Sequence, residues 1–366
     1  MKSMTKNIYL YSRKLFLNLL ARVLSNDVTY LNAALIRKIL FVRIDRIGDL
    51  VLSTPALNIL KKNYPHASIT VLASRSNSSV VLNNPHVDEC IVYDRQGGVS
   101  GLVTLLGRLR SFCFDLAIDP FDDYELKSAL IVFLSGAKYR VGYSVYGKEV
   151  FYNLKVKKRD GIDHFMKCVL RVLEPLGIKD NNFVPEIFLT SEELYQAKKW
   201  LKNMRVKAPF IGVHPGAYYE SQRWPTEYFA ELIDQARRKH LEVLLFGGIE
   251  DREIIDRILS SIDQIIPYYV GDDLRQFMAL LAQCCLFVCN NSGPLHIACA
   301  LGVPTISFMG PTVKERWIPI GDQHKVLRLD NLPCIGCGAG TCIMQTHDCM
   351  RHIRPDTVMD LIEKII

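Results

Sequence analysis

The 366-residue chain has no uninterrupted apolar stretch long enough to span a bilayer as a helix. Its most apolar N-terminal segment, residues 15–24, is broken by Asn18 and Arg22. That segment also lacks a convincing small-residue cleavage signal, which argues against a secretory leader. No Gly-x-Gly-x-x-Gly follows the first expected strand, so the dinucleotide chemistry of a nucleotide-sugar epimerase is disfavoured. Net positive charge is missing beyond the N-terminus. Residues 1–46 hold nine Lys or Arg and two Asp, a balance of +7, and the whole chain is also +7, so the remainder is formally neutral. A surface coated for nucleic acid is excluded, and no base-reading motif is present. An anionic membrane face or an acidic acceptor near the N-terminus fits this distribution. Internal repeats, long disordered tracts and an obvious flexible linker are also missing.

What remains describes an ordered globular chain: 49% hydrophobic and 23% charged residues, with length enough for two packed cores. The eleven cysteines are an odd number spread over a long chain, unlike a compact disulfide framework. Cys284, Cys285, Cys289 and Cys299 sit among apolar neighbours and read as small core side chains. A reducing, cytoplasmic compartment follows. In residues 13–25, Arg13, Lys14, Asn18, Arg22 and Ser25 form a polar stripe opposite Leu and Phe, for contact with a membrane surface or with the chain's own first domain.

Strands and helices alternate in two halves. Ile39–Val42 suits a buried strand, Gly48 a tight turn, and Leu50 onward a helix. Segments 68–72, 89–93 and 114–119 are further strands, and 126–134 a helix. Residues near 163–205 look helical and carry the chain into a second unit. There, strands at 210–214, 242–246, 286–289 and 305–308 alternate with helices at 226–238 and 296–301. The expected class is α/β, two Rossmann-like domains facing a central cleft. The expected divisions are a basic amphipathic extension (1–38), a first domain (39–195), a second domain (206–330) and a Cys-rich tail with a helix (331–366).

Polar groups collect where these strands end. In Arg43-Ile44-Asp45-Arg46-Ile47-Gly48-Asp49, Asp49 could accept a proton from a hydroxyl or cap the next helix. Arg43 and Arg46 could stabilise acceptor charge or form a solvated rim. His214-Pro215-Gly216-Ala217 ends another strand, where Gly216 and Ala217 could present backbone amides to a diphosphate or belong to a packed turn. Gln222-Arg223-Trp224-Pro225 supplies a planar cation suited to a departing phosphate, and Trp224 fixes the helix entrance rather than stacking on a base. Glu250, after Gly247-Gly248, could accept hydrogen bonds from a ribose or lie exposed. In Asn290-Asn291-Ser292-Gly293-Pro294-Leu295-His296, a polar turn opens a helix, an arrangement suited to an anion or to plain turn formation. Cys334, Cys337, Cys342 and Cys349, spaced x2, x4 and x6, could bind zinc or iron or remain free thiols.

Over roughly residues 39–355 these motifs together resemble the bacterial ADP-heptose:lipopolysaccharide heptosyltransferases, glycosyltransferase family nine. The resemblance implies a GT-B fold and inverting transfer of heptose from ADP-heptose to a lipopolysaccharide core acceptor. It implies Asp49 as general base, and Gly216, Ala217, Gln222, Arg223, Glu250, Asn291, Ser292, Gly293 and His296 on the donor side, with Arg43 and Arg46 on the acceptor side. No metal and no cofactor beyond the donor are implied. The partners would be the nucleotide sugar and the core acceptor, at the inner face of the cytoplasmic membrane, with peripheral contact to anionic lipid and no nucleic acid. Two departures stand out: Gln222 replaces a lysine common in the family, and Asn291 replaces an aspartate. They leave open a different activated sugar, or a nucleotide-sugar-binding assembly protein with weak or absent catalysis.

Overall fold

The computed structural model describes residues 9–17, 28, 31–180 and 183–366. The chain divides into two compact units, Met1–Phe183 and Val184–Ile366.

The first unit begins with helical residues 9–17 (α1). Then follow β1 (Lys38–Arg43), α2 (Ile47–Val51), α3 (Thr54–Asn63), β2 (Ser68–Ser74), β3 (Glu89–Tyr93) and α4 (Gly98–Ser111). The unit closes with β4 (Leu116–Ile118), α5 (Lys127–Leu134), β5 (Tyr139–Tyr143), β6 (Leu154–Val156) and α6 (Phe165–Arg171). Its sheet is parallel, in the order β3-β2-β1-β4-β5-β6. After its first residue β1 is buried throughout. Helices cover both faces of a parallel sheet, so a central strand reads as a continuous apolar run.

The second unit contains α7 (Ser191–Asn203), β7 (Phe210–His214), α8 (Thr226–Arg238), β8 (Glu242–Gly247), α9 (Arg252–Ser260), β9 (Tyr268–Val270) and α10 (Leu274–Leu281). It continues with β10 (Leu286–Asn290), α11 (Gly293–Ala300), β11 (Thr305–Phe308), α12 (Lys314–Trp317), β12 (His324–Leu327), α13 (Asp348–Arg351) and α14 (Pro355–Ile365). The sheet order is β12-β11-β10-β7-β8-β9. Both sheets therefore share one winding: two strands step outward from the first, and the fourth returns to its other side. This order creates a topological switch point, β1 beside β4 and β7 beside β10, where loops diverge and ligands bind outside the carboxyl ends of the strands.

The expected helical bridge over 163–205 is not continuous. After α6, Pro175 opens a short 3-10 turn ended by left-handed Gly177, and no helix follows until Thr190 caps α7 with a capping box on Glu193. α7 packs on α10 through Arg275, which grips both carboxylate oxygens of Glu193 at 2.7 Å and the Phe188 carbonyl at 2.6 Å. Segment 184–195 thus lies in the second unit, although the sequence reading ended the first domain at 195. In α1, Leu17 joins the core of the first unit. The polar-stripe positions Asn18, Arg22 and Ser25 lie outside the described residues. Among those described, no helix is long and apolar enough to cross a membrane.

Candidate functional site

In the first unit the site forms where β1 ends. Arg43 is the last residue of that strand, and its side chain is 1% exposed. Its guanidinium lies 4.5 Å from the Phe121 ring centroid and 4.8 Å from that of Phe165. Nη1 is 3.5 Å from Asp45 Oδ2, and Nε donates to the Asp49 carbonyl at 3.4 Å. The rim expected for Arg43 is therefore a buried post, while Arg46 is exposed. Gly48 does not make the turn. It lies inside α2, and residues 44–46 turn the chain while Asn77 binds them. Buried Asn77 donates to the carbonyls of Arg43 (3.1 Å), Asp45 (3.3 Å) and Arg46 (3.4 Å).

Asp49 sits in the first turn of α2, half-buried. It is not an N-cap: Arg46 holds that position, without a side-chain cap bond. Asp45 and Asp49 instead act on each other. Burial pushes the Asp45 carboxyl up to about 8; Arg43 opposes the rise, and the charge and hydrogen bond of Asp49 add to it. Asp45 therefore takes up a proton more readily than an ordinary aspartate. Two buried atoms here, Arg43 Nη2 and Asp45 Oδ1, have no hydrogen-bond partner among the described residues.

On the other side of the switch point, Asp119 follows β4 and is fully buried. It accepts from Ser128 Oγ (2.9 Å), Tyr152 Oη and the Phe121 amide (3.1 Å), with Lys148 Nζ 3.6 Å away. Lys148 donates to the Phe121 carbonyl at 3.0 Å, which fixes the ring that stacks on Arg43. Single-strand pattern reading misses this network, because its members are scattered over 33 residues.

In the second unit one side chain organises the site. Asn290, the fully buried last residue of β10, accepts from the Trp224 amide (2.9 Å) and donates to the carbonyls of Pro215 (2.8 Å) and Gly216 (3.2 Å). It brings Gly216, Ala217, Gln222, Arg223, Asn291, Ser292 and Gly293 around the ends of β7 and β10. Gly216 and Ala217 are buried. A Cβ on Gly216 would stand 2.2 Å from Asp251 Oδ1, so this glycine lets the acid approach the backbone. Arg223 Nε donates to the Ala217 carbonyl (3.0 Å), and Gln222 Nε2 to Thr312 Oγ1 (3.3 Å). Trp224 is core: it stacks on Phe308 with centroids 4.3 Å apart and donates Nε1 to the Ile353 carbonyl at 2.8 Å.

Asp251, rather than Glu250, reaches inward. It accepts from the Gly248 amide (3.0 Å) and lies 3.5 Å from His214 Nε2, while Glu250 is exposed. The hint in the sequence was Asp three residues after a possible glycine N-cap. Burial holds the His214 pKa below the ordinary imidazole range, with Asp251 opposing. His214 Nδ1 and Asn291 Nδ2 are buried without hydrogen-bond partners among the described residues. Ser292 is the N-cap of α11 without a side-chain cap bond, and buried His296 lies in its first turns, with its ring 6.2 Å from that of Trp317.

Residues 103–347 match glycosyltransferase family 9 (heptosyltransferase). The chain belongs to this family. Lipooligosaccharide heptosyltransferase 2 of Haemophilus influenzae is 26% identical over 336 residues, covering 87% of this chain and 96% of that relative. Lipopolysaccharide heptosyltransferase 2 of Escherichia coli is 26% identical over 314 residues, with coverages of 80% and 88%. Among solved structures, a family 9 glycosyl transferase from Veillonella parvula superposes with TM-score 0.80 at 22% identity, over 93% of this chain and 99% of the other. The ADP-heptose lps heptosyltransferase II of E. coli gives 0.76 at 23% identity, over 90% and 98%. These structures share the two-sheet GT-B architecture.

In this family 9 glycosyltransferase the Cys-rich tail folds onto the turn that holds Ser221. Ser221 Oγ donates to the Ala339 carbonyl, and His347 Nε2 donates to the Ser221 carbonyl at 2.7 Å. Arg328 Nη1 binds the carbonyls of Met309 (3.2 Å), Gly310 (3.3 Å) and Thr312 (2.7 Å), and so shapes the loop that Gln222 touches. Among the described residues all eleven cysteines are free, and no set of three His, Cys, Asp or Glu is arranged to hold a metal ion. Burial, aided by Cys334, Cys342 and Cys337, pushes the Cys349 thiol up to about 11.

Proposed function

We propose that this glycosyltransferase transfers heptose from ADP-heptose to a lipopolysaccharide core acceptor by a single inverting displacement. The observation that carries the reading is Asp49: a half-buried carboxylate at the switch point, not engaged as a cap, beside Asp45, whose carboxyl burial pushes well above the ordinary aspartate range. Asp49 accepts the proton of the acceptor hydroxyl as that oxygen attacks the anomeric carbon. The bond from that carbon to the diphosphate breaks, and ADP leaves. Arg43 and Arg46 stand on the acceptor side. On the donor side, the 216–217 backbone, Gln222, Arg223, Asn291, Ser292, Gly293, His296 and the first amides of α11 receive the diphosphate. Arg223 neutralises the charge that develops on the leaving group. Glu250 is exposed and free to accept hydrogen bonds from the ribose, while Asp251 accepts from the Gly248 amide and shapes the loop. The enzyme works at the inner face of the cytoplasmic membrane, where a lipid-anchored acceptor resides.

A mass-resolved assay with ADP-heptose and truncated lipopolysaccharide acceptors tests this. The expected result is ADP release with an acceptor gain of one heptose. Asp49→Asn should lower kcat by about 10²–10⁴-fold while donor affinity stays near wild type. Transfer that survives Asp49→Asn would remove it as the base. Asn291 and Gln222, where the family carries acid and lysine, support a second reading with a different activated sugar. Donor binding without any heptose transfer, and turnover with another nucleotide sugar, would favour it.

A further inference from the structure

The turn that leads from β1 to Asp49 is held from outside by one side chain. β1 and β2 run parallel with Arg43 opposite Ala73, so the turns that follow the two strands lie side by side. Asn77, in the turn after β2, is fully buried. It opens the 3-10 turn Ser78–Val81 but gives that turn no side-chain cap, the usual use of asparagine at such a position. Its Oδ1 accepts instead from the Ser74 amide at 2.8 Å, which orients the carboxamide. Nδ2 then donates to three carbonyls of the neighbouring turn, those of Arg43 (3.1 Å), Asp45 (3.3 Å) and Arg46 (3.4 Å). Ser74 Oγ adds a second donor to the Asp45 carbonyl at 3.2 Å.

These carbonyls decide where α2 starts. Arg46, extended at φ −90° and ψ 162°, is the N-cap, and its carbonyl takes the Leu50 amide at 3.3 Å. With five residues and no side-chain cap, α2 has little means of fixing its own direction. Asp49 lies in its first turn. Beyond, the Asp49 carbonyl accepts from Ser53 Oγ at 2.6 Å and from Arg43 Nε at 3.4 Å. The Asp49 backbone is therefore clamped from both ends, and Asn77 sets the entry angle.

We propose that Asn77 is a positioning residue for glycosyl transfer: through the carbonyls of Arg43, Asp45 and Arg46 it aims the Asp49 carboxylate at the acceptor hydroxyl. The inference rests on the reading of Asp49 as the base. Two observations set it apart from plain maintenance of the fold. All three contacts of Nδ2 fall within residues 43–46, the segment that leads into Asp49. Arg43, whose carbonyl Asn77 holds, also meets Asp45 through Nη1 and the Asp49 carbonyl through Nε. Displacing the turn thus moves the base, the neighbouring carboxyl and the guanidinium together. A catalytic group misplaced by about 1 Å costs on the order of 10²-fold in rate. The donor-side residues belong to the second unit and are left as they were.

The experiment compares wild type with Asn77→Ala and with the milder Ser74→Ala, neither of which adds a charge. Asn77→Ala should lower kcat by about tenfold to a hundredfold, while KM for the nucleotide sugar stays within about twofold. Ser74→Ala should lower kcat less, in the same direction. Carbon-13 NMR of the full chain with labelled aspartate carboxyls reads the same displacement without donor or acceptor. Asp45, pushed up to about 8 by burial, should titrate lower in Asn77→Ala as its turn opens to water, and aspartates outside residues 45–49 should not move. Unchanged kcat in a folded variant would overturn the proposal. So would losses of kcat and donor affinity that simply track melting temperature, or an Asp45 titration identical in all three proteins. If Asn77→Ala does not fold, unchanged kcat and titration in Ser74→Ala overturn it. The parent reading fails separately: transfer that survives Asp49→Asn removes the base and this proposal with it. Transfer lost in Asp49→Asn but intact in Asn77→Ala removes this proposal alone.

Discussion

Replacing Asn290 by aspartate changes almost no volume but inverts one hydrogen-bonding group. The wild-type amide accepts from the Trp224 N–H and donates to two carbonyls, those of Pro215 and Gly216, at a fully buried position. In Asn290→Asp the bond to Trp224 survives, and both donated bonds disappear. A carboxylate oxygen then faces two carbonyl oxygens. Leaving a buried acceptor unmade costs about 1–3 kcal/mol, so the loss should be about 3–5 kcal/mol with the added repulsion. That is a large fraction of a typical total stability of about 5–15 kcal/mol. The introduced carboxyl escapes by keeping its proton, which restores one donor, so its folded pKa rises above the unfolded value of about 3.9. A raised folded pKa gives stability that is fully present below about pH 4 and lost as pH rises through the folded value. Urea unfolding of variant and wild type between pH 4 and pH 8 should show a gap that widens with pH, and ADP binding should weaken as the 215–224 loops loosen. A variant as stable as wild type at pH 8, with unchanged ADP affinity, would refute the claim that Asn290 holds the 215–224 loops together.

Gly216→Ala places a methyl group against the Asp251 carboxylate, and the strain of about 1–3 kcal/mol should appear chiefly as tenfold or greater weakening of donor binding, measured by calorimetry. Glu193 is held down to about 2, first by the Arg275 hydrogen bond and then by its bonds to Thr190. A depressed folded pKa stabilises above the unfolded value near 4.5 and is lost as pH falls towards 2, so Arg275→Met should remove about 2 kcal/mol at pH 7 and flatten acid unfolding between those limits. Asp45 behaves oppositely: raised to about 8 by burial, it favours the fold most below pH 4 and progressively less up to pH 8. The non-ionising Asp45→Asn variant should therefore gain on wild type across that window, by on the order of 1–3 kcal/mol in chemical denaturation.

Strands buried on both faces could be read directly from sequence, because largely apolar runs such as Phe210–His214 and Leu286–Asn290 have few other uses. The short edge strands Leu154–Val156 and Tyr268–Val270 escaped notice, since three residues carry no period. Motif spacing also located the segments after β1, β7 and β10 that bear Arg43, Asp49, Gly216, Arg223 and Asn291, because polar residues collect where the chain must turn. Spacing could not say which of those side chains point inward. Arg43 is buried between two rings, whereas Arg46, three residues later, is exposed. Likewise Asp251 meets His214, and its neighbour Glu250 faces solvent. Such choices depend on contacts between residues far apart in the chain: Phe121 and Phe165 against Arg43, Asn290 across to Pro215, Arg328 beneath Thr312. Sequence alone determined the family, the α/β class of both halves and the turns in which the candidate residues lie, because these follow from local pattern. Only the tertiary structure decided which of those side chains are buried and bridged and which face solvent, because that depends on which distant segments the sheets bring side by side.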